Sequence, residues 1–309
     1  MPSWQSELFR RFSRLSQPRV AGATADIAEL RRQYAYLFDR FGAAPGDVAF
    51  EQGQAGPIKG EWVKHGAGAG SADRLILYFH GGGYISGSPE THRPLIARLA
   101  QAAEAHAFVP AYRLAPEFAY PAAVRDGIDA YRHLIAKVDP KSIVVAGDGS
   151  GGGLAFAVLL AARNAGLAMP AAGVAMSPWA DLSLSGMSVL TNRGHDTALN
   201  WELLFLSARQ YLRKTNPCDP YASPAYASFR DFPPIMVHAG GFEMLKDDAS
   251  RIGDRAADAG TPVSVEIYDS MQHVFQANPY VPEARVSLQR LGQFIRAKTP
   301  NLRADAQSA

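Results

Sequence analysis

SIVVAGDGSGGG, residues 142–153, is the stretch on which the reading of this chain turns. Ile143 to Ala146 form a continuous apolar run, which is how a strand buried on both faces of a sheet reads. The run breaks into a glycine-rich turn holding one serine, Ser150, and an amphipathic-to-apolar segment near 151–165 follows. A strand, a tight turn and a helix in succession is the unit that open α/β sheets use to present reactive or ligand-binding groups.

The same rhythm extends in both directions. Further apolar runs lie at 75–79, 107–112, 171–177, 234–240 and 263–269, with helical stretches near 91–104, 122–137, 244–259 and 282–297. Short apolar strands separated by helices predict a mostly parallel sheet covered on both faces. Two extended segments, near 48–52 and 58–65, are expected as antiparallel edge strands. The GAGAGS run at 66–71 reads as a hairpin loop and the polar tail NLRADAQSA, 301–309, as a frayed end.

Two regions depart from this rhythm. Ile27, Leu30, Tyr34, Leu37, Phe38 and Phe41 recur at helical spacing, with Gly42 as a stop signal. Between the strands at 171–177 and 234–240 lies a long excursion whose middle, NWELLFLSARQYL (200–212), predicts a helix. Excursions of that length are usually functional. The chain therefore divides into N-terminal cap helices at 1–45, an α/β core at 46–182 and 221–309, and a cap insertion at 183–220. Trp4, Phe9, Phe12, Trp201 and Phe205 are candidates for an apolar pocket under that cap; helix-on-helix packing accounts for each of them equally well.

Composition narrows the functional classes. The 309 residues carry 31 basic and 29 acidic side chains, a formal net charge of +2, scattered along the chain. That balance argues against nucleic acid or an anionic membrane as the main partner. Cys218 is the single cysteine, so no internal disulfide forms and a reducing, cytoplasmic location is expected. No window reaches the 18 or so apolar residues of a membrane span, and the start lacks a signal-peptide core. A homodimer remains open.

Four segments fall at strand ends: HGGGY (80–84), GDGSGG (147–152), GGFEMLKDD (240–248) and MQHVF (271–275). In this order they offer an oxyanion loop, a nucleophile turn, an acid and a histidine, the chain order of an α/β hydrolase. Acyl transfer needs each part. A sharp strand-to-helix turn projects the nucleophile, a histidine takes its proton, and a carboxylate fixes the histidine's tautomer. Backbone amides stabilise the oxyanion, each by about 3–4 kcal/mol in the barrier. Gly82 and Gly83, with the amide of Ser150, are the expected donors. His80 and Asp148 are expected to support that loop. The remaining histidines, at 65, 92, 106, 133, 195 and 238, show no metal-ligand spacing with a third partner.

Together HGGGY, YRLAPE (112–117), the GD–GG turn, SPWADLS (177–183) and the M–HVF histidine resemble the hormone-sensitive lipase family, the bacterial family IV carboxylesterases. The resemblance runs from about Leu75 to Ile295. It implies an α/β-hydrolase fold with a helical cap, hydrolysis of short or medium acyl esters or lactones, and neither cofactor nor metal. Arg113 and Glu117 would then brace the site.

The departure from the family lies in the turn, which reads G-D-S-A-G-G in its members. Aligned without a gap, Gly149 takes the nucleophile's position and Ser150 the small residue after it. Sliding by one makes Ser150 the nucleophile, but puts Asp148 two positions before it, where the tight turn wants almost no side chain. The acid falls on Glu243, with Asp247 as the alternative; carboxylates at 247 and 248 also suit a helix N-terminus. Two readings result: an ester hydrolase whose nucleophile is missing, or a small-molecule-binding protein on the same scaffold. The plant gibberellin receptors, which the fold also resembles, are of the second kind.

Overall fold

The computed structural model describes residues 2–8, 26–39, 42–66 and 74–300. Expectations placed on Phe9, Phe12, Phe41, the 67–71 part of the glycine–alanine loop and the 301–309 tail lie outside these residues.

An eight-stranded sheet organises the chain, in the spatial order β1-β2-β4-β3-β5-β6-β7-β8. Val48–Ala55 (β1) and Ile58–His65 (β2) form an antiparallel hairpin that pairs antiparallel with His106–Pro110 (β4). Leu75–Phe79 (β3), Ile143–Asp148 (β5), Ala172–Met176 (β6), Ile235–Gly240 (β7) and Val263–Tyr268 (β8) continue from β4 in parallel. The helices are α1 (Ile27–Asp39), α2 (Pro89–Ala103), α3 (Ala122–Ile135), α4 (Gly149–Asn164), α5 (Trp201–Leu212), α6 (Lys246–Asp258) and α7 (Pro282–Lys298), with a single turn at Ser188–Thr191.

The apolar strands explain the layering. Every residue of β3, β5 and β6 is buried. One cluster, with Leu77, Phe79, Val145, Leu154, Phe156 and Trp179, covers one face of the sheet; Ile76, Tyr78, Leu95, Val144, Val174 and Leu291 pack on the other. This is the two-sided burial that parallel sheets require. Helix α4 is apolar all round and almost wholly buried, as expected of a helix clamped between sheet and surface elements.

Helix α4 begins at Gly149, two residues earlier than the spacing predicts. Glycine is a poor helix former, yet here close packing selects it. A Cβ on Gly147 would collide with the Gly151 carbonyl, and one on Gly151 with the carbonyls of Phe79 and His80. The helix can therefore start directly against the end of β3. The strand order reverses at β3, with β4 on one side and β5 on the other. The register sets Phe79 opposite Gly147, so the loops after β3 and β5 leave the sheet side by side at this switch point.

Candidate active site

β5 ends in extended backbone at Asp148, with φ −125° and ψ 150°. Gly149 then turns left-handed at φ +52°, a conformation that costs a residue with a Cβ about 1–2 kcal/mol. A Cβ built on Gly149 would point at the ring of His273, 3.3 Å from Nε2 and 3.8 Å from Cε1, with the Cα of Gly81 at 3.9 Å. Ser150 faces elsewhere: its Oγ accepts the Tyr84 amide at 3.3 Å and is buried. Its own amide lies in the first turn of α4, where backbone donors lack intrahelical acceptors. Of the two residues considered for the nucleophile position, the side-chain direction of 149 is thus the one that meets the imidazole.

The imidazole is held from behind. His273 Nδ1 donates to Glu243 Oε2 at 3.0 Å, which leaves Nε2 as the lone-pair nitrogen facing position 149. Glu243 is fully buried and the His273 side chain 12% exposed. Burial disfavours the imidazolium, but the hydrogen bond and charge of Glu243, with Asp196 and Asp148 farther off, outweigh it and raise the histidine's pKa. The loops after β7 and β8 are tied to each other directly, Gly241 N–H to the Tyr268 carbonyl at 2.8 Å and Phe242 N–H to that of Met271 at 3.0 Å. Val274 donates its amide to Ser177 Oγ at 3.0 Å, anchoring the residue after the histidine to the end of β6.

Asp148 and His80 each hydrogen-bond to the glycine loop after β3. Asp148 Oδ1 accepts the Tyr78 hydroxyl at 2.7 Å and the Gly81 amide at 3.1 Å. Burial raises the cost of its charge, yet His92, 3.5 Å away, and the Tyr78 hydrogen bond hold its pKa below the usual carboxylate range. His80 Nδ1 donates to the Gly81 carbonyl at 2.8 Å, and its ring stacks on Tyr112, whose hydroxyl donates to the His80 carbonyl at 2.7 Å. Burial and the neighbouring His92 push its pKa down to about 3, so it stays neutral at physiological pH. Gly82 and Gly83 have φ of +123° and +65°. A Cβ on Gly83 would come within 2.9 Å of Ser207 Oγ on α5, so the loop passes tightly beneath that helix.

The alternative acid is placed differently. Asp247 Oδ2 accepts the Ser188 amide at 2.8 Å and its own amide donates to Ser188 Oγ at 3.0 Å, fastening the start of α6 to the Ser188–Thr191 turn. Asp248, which is buried, accepts the amides of Ala180 and Asp181, both at 2.8 Å. Arg113 pairs with Asp126 and Glu117 with Arg31 of α1. Of the pocket aromatics, Trp201 stacks on Phe205 at 4.9 Å, while Trp4 is 72% exposed.

One group of residues escaped the sequence reading. From the excursion between β6 and β7, Asn192 Nδ2 donates to the carbonyls of Gly241 (3.1 Å) and Glu243 (2.9 Å). Asp196 Oδ2 accepts the Met244 amide at 2.8 Å, and its Oδ1 the amides of Ala198 and Leu199. Thr197 donates both its amide and its hydroxyl to Gln272 Oε1, at 2.7 and 3.0 Å. One six-residue stretch thus grips the backbone at and around Glu243 and the side chain of Gln272, next to His273. Burial raises the Asp196 pKa to about 6, against the pull of His273 and three backbone amides. The available signal was a concentration of turn- and cap-forming side chains, Asn192, Asp196, Thr197 and Asn200, in nine residues.

Among the described residues no three His, Cys, Asp or Glu side chains gather as a metal site, and no helix is long and apolar enough to cross a membrane. Comparison with known proteins agrees with the architecture. A profile of the alpha/beta hydrolase fold matches residues 76–277. The chain is 40% identical over 264 residues to an acetyl-hydrolase of Streptomyces hygroscopicus, covering 85% of this chain and 86% of that protein. It is 35% identical over 240 residues to an esterase of Acinetobacter venetianus, covering 77% and 78%. The crystal structure of an esterase from the bacterial hormone-sensitive lipase family superposes with a TM-score of 0.90 at 37% identity, covering 97% of this chain and all of the other. With its parallel sheet, its glycine loop and turn side by side at the switch point and these relatives, the chain belongs to the α/β-hydrolase family, in the hormone-sensitive lipase group of esterases.

Proposed function

We propose that this chain is a carboxylic ester hydrolase of serine type for short or medium acyl esters or lactones, with glycine at the nucleophile's position. His273 is its general base and acid, Glu243 orients the imidazole, and the amides of Gly82, Gly83 and Ser150 receive the oxyanion. The described parts of 1–45, together with 183–220, cap the site. The observation that carries this reading is the direction of the Gly149 Cβ, 3.3 Å from His273 Nε2, with Glu243 hydrogen-bonded behind the ring. The short-acyl preference draws support from the acetyl-hydrolase relative.

Without a serine hydroxyl the acyl-enzyme route is closed, and losing the nucleophile of a serine hydrolase costs about 10⁶ in turnover. The missing hydroxyl itself favours a second reading, a protein that binds small esters without turning them over. Gly149→Ser separates the two. Strong hydrolysis of p-nitrophenyl acetate by that variant supports the hydrolase; an inert variant that still binds the ester supports the binding protein.

A further inference from the structure

We propose that the chain as it stands performs acyl transfer by a single displacement with no acyl-enzyme, the attacking group drawn from solution: water, or a small alcohol such as methanol, is deprotonated by His273 over Gly149 and attacks an activated ester directly. The inference rests on the ester-hydrolase reading above and departs from it in having no acyl-enzyme.

Four observations converge on it. Setting aside its chain neighbours and the backbone of its own helix, a Cβ on Gly149 meets only His273 Nε2 nearer than 3.8 Å among the described residues, so the place where a serine side chain would start borders on the imidazole. A free molecule must stand off the Gly149 Cα by van der Waals contact, about 3.5 Å, rather than by a bond. Its oxygen is thereby carried outward, away from the turn. The Nδ1–H to Glu243 leaves Nε2 unprotonated and aimed at this place, the state a general base needs. The one hydroxyl on the turn, Ser150 Oγ, is engaged with the Tyr84 amide, so no side chain of the turn competes as an internal nucleophile. Finally, the first-turn amides of α4 remain at the site whatever residue occupies position 149, and such donors are each worth about 10²–10³ in rate.

The step balances. The oxygen of water or methanol forms a bond to the acyl carbon as its proton passes to Nε2, and the carbonyl electrons move onto the oxyanion. Collapse of that intermediate breaks the bond to the leaving oxygen, which takes the proton from the imidazolium or departs as a phenolate. Water yields the acid and methanol the methyl ester.

The test uses the full chain with p-nitrophenyl acetate, with and without added methanol, subtracting the rate without protein. The expected result is p-nitrophenol release without a burst, no acetyl adduct in the intact mass, and methyl acetate forming in proportion to methanol. His273→Gln and Gly149→Ala, the latter placing a methyl against Nε2, should each lower the protein-dependent rate at least tenfold, since general bases contribute about 10²–10⁴. An acetyl adduct, a rate unmoved in both variants, or no methyl ester would overturn the proposal. Gly149→Ser keeps the two levels apart. If it turns over strongly while the parent shows no His273-dependent rate, the direct displacement fails and the hydrolase reading stands. If it is inert as well, the reading itself fails.

Discussion

Gly149→Ser should raise activity and lower stability at once, and both sizes follow from the same backbone angle and the same distance. At φ +52° the new side chain sits in left-handed backbone, costing about 1–2 kcal/mol. Replacing glycine also restricts the unfolded chain, which returns about 0.4–1 kcal/mol. The Cβ meets His273 Nε2 at 3.3 Å, close enough that the ring must yield slightly, while the hydroxyl one bond farther can turn onto that nitrogen. The net expectation is a loss of about 1 kcal/mol, or roughly 1–2 °C in thermal midpoint, alongside a gain of up to about 10⁶ in turnover. Differential scanning calorimetry and burst kinetics with p-nitrophenyl butyrate measure the two. Gly149→Ala is the control, sharing the strain but lacking the oxygen, and should show the stability loss with no gain in turnover. A serine variant that is destabilised yet forms no acyl-enzyme, or an alanine variant equally active, would refute the assignment of position 149.

Other expectations use this serine-restored variant. Adding Glu243→Gln should lower turnover by about 10⁴, the size seen when a triad carboxylate becomes an amide, whereas Asp247→Ala should leave turnover intact and cost about 1 kcal/mol through the lost bond from the Ser188 amide; denaturant melts and steady-state kinetics distinguish the two. The pH profile of kcat/KM should climb with unit slope through a midpoint above 6.5. The His273 pKa is raised, so the inactive imidazolium persists to higher pH and the free base appears later. Burial alone lowers that pKa and Glu243 is the largest group raising it, so Glu243→Gln should move the midpoint toward acid; a midpoint that stays put would contradict the hydrogen bond's role. Ser150→Ala should leave the pH profile and turnover nearly unchanged while leaving the Tyr84 amide unpaired, a cost of about 1–3 kcal/mol visible in urea unfolding.

The parallel strands were readable because burial on both faces leaves no room for alternation, and β3, β5 and β6 appear as unbroken apolar runs. The glycine loop and the turn were readable because each follows such a run; the candidate acid and histidine follow β7 and β8, whose strands are less completely apolar and buried, and stood out by their order along the chain. Boundaries failed where tertiary contact overrides local preference. Helix α4 starts within the glycines because close packing against Phe79 demands them. β1 runs on to Ala55, beyond the expected 52, because Ala55 pairs with Ile58 across a two-residue turn in which Gly56 adopts φ +61°. β4 stops at Pro110 rather than 112. The grip of Asn192, Asp196 and Thr197 was illegible for a different reason: its partners outside the excursion are backbone groups and an amide side chain 48 to 75 residues away. Nothing in the local pattern names them.

That grip bears on anyone who would exchange this region for another to change substrate range. A graft spliced at 183–220 would discard Asn192, Asp196 and Thr197 and loosen the footing of Glu243 and His273 together. Junctions set after Leu199, past the last amide that Asp196 accepts, would bring in a foreign α5 while keeping the native anchor. In this scaffold the stretch that can be exchanged without disturbing the anchor is shorter than the excursion that contains it.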